Sequence, residues 1–159
     1  MIIHCETDFH VEVPYDTLQN VSLANLNLHR AKLEEANLSQ SDLSHSNLRG
    51  AFLWRANLDK CNLSSANIIV ADFREASLTN ANLQNCIARS TLFEGADLRN
   101  ANLKGANING ANFTSTKLQG ADMNSMDIGS AIFAGALFDV TTKWPPLFEP
   151  EKRGAIKIK

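Results

Sequence analysis

The chain is short of nearly everything that marks an enzyme or a membrane protein. Its 159 residues hold no P-loop, no glycine-rich dinucleotide turn and no nucleophile elbow. Cysteine occurs only three times, an odd count that argues against a disulfide framework. The start, Met1-Ile2-Ile3-His4-Cys5-Glu6, has no basic region, no apolar run of seven and no small-residue cleavage site. Secretion and membrane insertion are therefore unsupported, and a cytoplasmic location is the expectation. Neither sign of charge dominates, with 15 Lys and Arg against 17 Asp and Glu and a formal net charge of −2. A nucleic-acid binder needs a basic stripe and a nucleic-acid mimic an acidic one; neither is present, so no direct nucleic-acid binding is expected.

What is present is a five-residue rhythm. From Leu23 to Phe138 every fifth residue is large and apolar, with Ala88 as the single break. Two residues earlier runs a column of alanine, varied by Ser41, Ser46, Cys61, Cys86, Thr91 and Thr116. Such a period fits neither regular element. On a helix, positions five apart advance by about 140° and scatter round the cylinder. On a straight strand an odd spacing sends successive leucines to opposite faces. A chain that bends once per unit instead points the small and the large residue into one interior.

A longer period sets the size of the coil. Phe73, Phe93, Phe113 and Phe133 lie twenty residues apart, with Leu33 and Leu53 at the matching earlier positions. Twenty residues thus make one coil of four sides, and six coils at a strand spacing of about 4.8 Å make a rod roughly 29 Å long. Small residues are required in one column because a narrow tube cannot hold eight large side chains per coil. Asn or Asp precedes the large residue in fifteen units and is predicted to bond turn backbone. Gly50, Gly95, Gly105, Gly110, Gly120 and Gly135 fall at the corners. Cys61 and Cys86 read as buried alanine substitutes.

The stretch ANLQN, ANLKG, ANING, ANFTS, TKLQG and ADMNS resembles the pentapeptide-repeat family, and the resemblance covers residues 21–140. It implies an all-β fold, a right-handed quadrilateral β-helix, since handedness does not follow from periodicity. The ending Thr142, Lys143, Trp144, Pro145, Pro146, Phe148 and Pro150 is similar to one found after the repeats in members from photosynthetic prokaryotes. The division expected is a cap at 1–20, the β-helix at 21–140 and a cap or tail at 141–159. In the first cap His10 to Val13 is predicted as a strand, followed by one helical turn at Tyr15 to Leu18. At the other end Trp144, Leu147 and Phe148 are expected to cover the last coil, with Ala155 to Lys159 as an edge strand. Ile132 and Leu137 are expected to meet that cap or a second copy, leaving a monomer or an end-to-end dimer.

Function is read from departures on the surface. Phe52 and Trp54 occupy outward positions of the side that carries the Phe column, with Ile69, Val70 and Ile87 on or near the adjoining side and Leu92 further along. Arg49, Arg55, Arg74 and Arg89 surround them. Trp, Tyr and Arg are the residue types most enriched at binding hot spots, and contiguous exposed apolar surface usually marks contact. The bland alternative is ordinary surface, with Trp54 lying over the stem of Arg74. His4, Cys5 and His10 lack a second ligand pair at zinc spacing, so no metal, cofactor or small-molecule substrate is expected. A non-enzymatic module that binds a protein partner is the resulting expectation. The resemblance implies one competitor, a DNA mimic that inhibits or protects the type II topoisomerase gyrase; a structural repeat protein without a partner is another.

Overall fold

The structure is a computed structural model that describes residues 1–6 and 9–159. Its repeats form parallel bridges between residues twenty apart, beginning with Ser22 to Asp42, Asn27 to Asn47, Lys32 to Phe52 and Asn37 to Asn57. Four ladders started by these pairs run up the molecule. Between them the backbone turns at every fifth residue, where φ is positive, from Asn20 at 55° to Gly120 at 72° and again at Gly135 at 68°.

Hydrogen-bond accounting explains why the unit has five residues and why Asn or Asp stands second. In the unit from Ala36 to Gln40, the Leu38 N–H donates to Asn57 O and the Gln40 N–H to Asp59 O on the next coil. In the unit above, the Asn57 N–H donates down to Ala36 O, and the Ala56 N–H closes its turn on Leu53 O. Only the fourth N–H of the unit lacks a backbone acceptor. The Asn37 side chain supplies one, its Oδ1 accepting from Ser39 N at 3.1 Å. The same bond recurs from Asn47 to Arg49, Asn62 to Ser64, Asn102 to Lys104 and Asn112 to Thr114. All five donors are then satisfied, as a chain without helix or long strand requires. At the corners, Gly105 adopts φ 72° with the Asn85 side chain where a Cβ would stand.

Inside, the large column is closed to solvent from Leu23 to Met123, with Leu33 at 3% its most exposed member. Phe73, Phe93, Phe113 and Phe133 stack at centroid separations of 5.4, 5.0 and 5.2 Å. Hydroxyls in the small column are satisfied: Thr91 Oγ1 donates to Ile68 O at 2.7 Å and Thr116 Oγ1 to Phe93 O at 2.9 Å. Cys61 and Cys86 are buried free thiols in the positions of alanine. Burial pushes the Cys86 thiol up to about 12, and burial followed by the charge of Asp59 pushes the Cys61 thiol up as well.

The period slips near the end of the repeats, first at Met126 and again where Asp122 bridges Lys143, twenty-one residues on. Met126 falls in the small column, where its side chain cannot fit. It is turned out to 54% exposure, and Asn107 bridges Met126 instead of the residue twenty positions on. A 3-10 turn at Ile128–Ser130 follows, so Ile128, expected in the large column, is only partly buried.

The ends also depart from expectation in places. Strand β1 (Ile2–His4) pairs antiparallel with β2 (His10–Glu12), and Cys5 then bridges Ala31 on the first coil. β2 falls where a strand was predicted, whereas the helical turn at Tyr15 to Leu18 does not form. Leu18 instead enters the core at 8% exposure. At the far end Trp144 and Phe148 meet Phe133 edge-on at 5.4 and 5.6 Å, and so close the aromatic column. Leu147 does not join them: it is 101% exposed, at φ 66°. Strand β4 (Ile156–Lys157) lies parallel to β3 (Leu137–Phe138) as a last edge, with Leu137 paired to Ile156. Ile132 stays 49% exposed.

Candidate interaction surface

One ladder and its two flanking corners carry Phe52, Trp54, Ile69, Val70 and Leu92 with Arg49, Arg55 and Arg74. The ladder runs Lys32, Phe52, Asp72, Leu92, Asn112, Ile132. Leu92 therefore lies on the same ladder as Phe52, two coils up. Arg49, Ile69 and Val70 stand at the corner before this ladder; Trp54, Arg55 and Arg74 stand at the corner after it. Phe52, Trp54, Ile69 and Leu92 are half-buried, and Val70 is 49% exposed. Ile87, on the neighbouring ladder between Asn67 and Asn107, is 41% exposed.

These apolar residues sit at a local cost. Phe52, Leu92 and Ile87 replace the Asn or Asp whose Oδ1 would accept the N–H of Trp54, Glu94 and Arg89. Each such bond is worth about 0.5–1.5 kcal/mol. Val70 costs more directly. Of the non-glycine residues at positive φ, most are Asn, Ser or charged; only Val70, at φ 50°, and Leu147 are aliphatic. A β-branched residue in the left-handed region is strained by about 1–2 kcal/mol. Phe52→Asn and Val70→Asn are each expected to raise stability by about 0.5–1.5 kcal/mol, measured by chemical denaturation, because Asn restores the corner acceptor or tolerates the left-handed region. An unchanged or lower unfolding midpoint would contradict that assignment of strain.

The arginines divide into two kinds. Arg74 forks onto Asp72 through Nε at 2.9 Å and Nη2 at 2.6 Å. Arg55 reaches Glu75 at 2.8 Å while its guanidinium lies 4.1 Å over the Trp54 ring. The cation over the Trp54 ring is thus Arg55. Burial pushes the Asp72 carboxyl up, but hydrogen bonds from Arg74 and its charge outweigh this and hold it below the usual carboxylate range. The stabilisation from that depressed group is present above about pH 4 and lost as pH falls through its lower folded value. Arg49 and Arg89 take no ion pair among the described residues. They leave positive charge unneutralised beside Ile69 and Val70. Asp72, Glu75 and Glu94 were missed by the sequence reading: Asp72 stands two residues before Arg74 in the same unit, while Glu75 lies one coil from Arg55 and Glu94 one coil from Arg74, visible only by stepping in twenties.

A cleft of about 650 Å³ lies at the N-terminal end, away from this ladder, lined among others by Met1, Ile3, Phe9, Leu18 and Leu33. Among the described residues no group of His, Cys, Asp and Glu is placed to hold a metal ion, and no helix is long and apolar enough to cross a membrane.

Comparison with known proteins fixes the family. The family model for pentapeptide repeats matches in eight copies, at residues 17–50, 36–74, 56–95, 76–117, 91–127 and 106–139. No curated protein sequence matches the chain. Two solved structures of trypsin-treated variants of QnrB1, a plasmid-mediated fluoroquinolone resistance protein, are similar at 23% and 24% identity. Their TM-scores are 0.72 and 0.74, each over 83% of this chain. The chain spans 67% and 64% of those two structures, so the second is matched over less than two thirds of its length. HetL, a pentapeptide-repeat protein involved in heterocyst differentiation regulation in the cyanobacterium Nostoc sp. strain PCC 7120, is 26% identical. That match covers 85% of this chain and 71% of HetL, with a TM-score of 0.33 that carries no weight. Periodicity, ladders and corners, taken with the family match and the solved folds, show that this chain belongs to the pentapeptide-repeat family and forms a right-handed β-helix.

Proposed function

We propose that the chain is a non-enzymatic protein-interaction module. Its four ladders are the flat sides of a quadrilateral rod of about six coils, and it works in the cytoplasm. One side, carrying Phe52, Trp54, Ile69, Val70 and Leu92, is the docking surface. The observation that carries this reading is the cost gathered at that side and its corner: Asn is given up at Phe52 and Leu92, and an aliphatic residue is held at positive φ at Val70, with Ile87 giving up Asn on the neighbouring ladder. Several such costs on neighbouring positions support a functional site there.

The chemistry points to a partner with an apolar centre and acidic neighbours. Phe52, Leu92 and Val70 supply apolar area, while Arg49 and Arg89 are free to meet carboxylates. Arg55 and Arg74 are neutralised by Glu75 and Asp72 and act as a polar border. A rigid surface loses little entropy on binding, so a modest patch suffices. The test is capture from a host lysate by the intact protein and by a Phe52→Asp, Trp54→Asp double variant, both verified as folded by circular dichroism. One protein retained by the intact chain and lost by the variant is the expected result. Equal capture by both would overturn the assignment of the surface.

A second reading, a DNA mimic acting on gyrase, draws support from the likeness to a fluoroquinolone resistance protein. At 23–24% identity that likeness bears on fold alone. The repeats carry eleven acids and ten bases, so the rod lacks the field of a duplex. Gyrase subunits in the captured fraction would favour this second reading; empty fractions from both proteins would leave a structural repeat protein.

A further inference from the structure

The two ends of the rod are unlike, and they are complementary. Residues 1–20 contain four acids and no lysine or arginine; residues 141–159 contain five bases and two acids. At the acidic end a cleft of about 650 Å³ opens between the β1–β2 hairpin and the first coil, with Ile3, Leu18 and Leu33 in its lining beside the polar His4, His10, Lys32 and Glu34, and with Met1, Ile2 and Phe9 48%, 47% and 45% exposed around it. At the basic end a turn from Pro145 to Phe148 closes with the Phe148 N–H donating to Pro145 O at 3.2 Å. Leu147 sits at its third position with φ 66° and is fully exposed. That position favours Gly or Asn. A leucine there is held in an unfavourable conformation with its side chain entirely in water, so it gains nothing from its own fold.

We propose that this end is a plug for a second copy of the chain: Leu147 of one molecule enters the N-terminal cleft of the next, head to tail. Charge supports the pairing. Arg153, Lys157 and Lys159 of the basic end and Glu12 and Asp16 of the acidic end take no ion pair among the described residues. Ile156 on the last edge strand and Ile158 just after it, 52% and 36% exposed, add apolar area at the same end. The contact joins two different surfaces, so it is heterologous. It leaves one cleft and one plug free in every pair and grows into linear assemblies instead of stopping at a symmetric dimer.

Sedimentation velocity of the full chain across a concentration series, at low and at high salt, tests this. The intact protein is expected to form species larger than a dimer, fewer of them at high salt. Leu147→Asn keeps a residue suited to positive φ, so it is expected to fold at least as well while weakening association roughly tenfold or more. Phe9→Glu at the cleft is expected to do the same. Mixed, these two variants retain one good cleft and one good plug between them and are expected to give a one-to-one pair and nothing larger. A monomeric intact protein, undiminished association of Leu147→Asn, or a Phe9→Glu variant that self-associates like the intact protein would each overturn the proposal. A pair-only intact protein, unchanged by Phe9→Glu, would identify a symmetric contact instead.

Discussion

Phe113→Ala is expected to cost about 3–5 kcal/mol of folding stability, the range for removing a fully buried phenylalanine. Phe113 has no exposed surface and stacks between Phe93 and Phe133 at 5.0 and 5.2 Å. Collapse into the vacated space is blocked. The coil spacing is fixed by backbone bonds on either side, Phe93 N–H to Asn112 O and Phe113 N–H to Ile132 O, both 2.8 Å. The cavity therefore persists, and two stacking contacts worth about 0.5–1.5 kcal/mol each are lost with it. Phe113→Leu, which copies Leu33 and Leu53 of the same column, is expected to cost less. Urea unfolding followed by circular dichroism measures both. A loss below about 1 kcal/mol for the alanine variant would mean that the coils relax freely, against the rigidity inferred here.

Ala101→Leu is the second large effect, through the opposite failure. Ala101 is 1% exposed, with Ala81 and Ala121 beneath and above it in the small column. Added volume has nowhere to go, and overpacking of this kind costs about 1–3 kcal/mol, occasionally more. The protein contains a natural example. Where Met126 occupies the small column, the chain does not pack the side chain but expels it, shifts one bridge by a residue and adds a 3-10 turn. That escape is open near the end of the rod. In its middle, coils on both sides hold the register, so Ala101→Leu is expected to lower the unfolding midpoint sharply. An unchanged midpoint would show spare room in the column that exposure does not reveal.

Much of this fold can be read from the residues because each column repeats one physical demand. Leu23 to Phe138 mark the interior, Ala51 to Ala136 mark where space is short, and Asn37 or Asn62 marks the fourth N–H of a unit. Exceptions arise where one residue answers two demands. Met126 is apolar and suits burial, yet its column rejects its size. Leu147 looks like a capping hydrophobe beside Trp144 and Phe148, but the two prolines before it place it on the outside of a turn. Strand β1 was not anticipated, because three residues give too short a pattern, and its pairing with the first coil through Cys5 is long-range.

The candidate surface was legible as a set of residues and less so as an arrangement. Phe52 and Leu92 share a ladder only when positions are compared forty residues apart, with Asp72 between them. The pairing of Arg74 with Asp72 rests on a side chain folding back two residues, and that of Arg55 with Glu75 on a step of one coil. Both pairs remove charge from a rim that the sequence alone presents as four free arginines. The positive φ of Val70 follows from its corner position, but its strain becomes visible only beside the Asn, Ser and charged residues that fill the other corners.

The side bearing Phe52 and Leu92 is the centre of the account, and a binding titration of the captured partner tests it most directly. Three folded proteins would be compared by calorimetry: the intact chain, the Phe52→Asp, Trp54→Asp double variant, and a control altered on another ladder, Asn82→Asp. Hot-spot residues contribute about 2 kcal/mol or more each, so affinity is expected to fall by roughly a hundredfold or more in the double variant and to hold within about threefold in the control. Equal losses in both variants, or none in either, would contradict the claim that this one side is where the protein meets its partner.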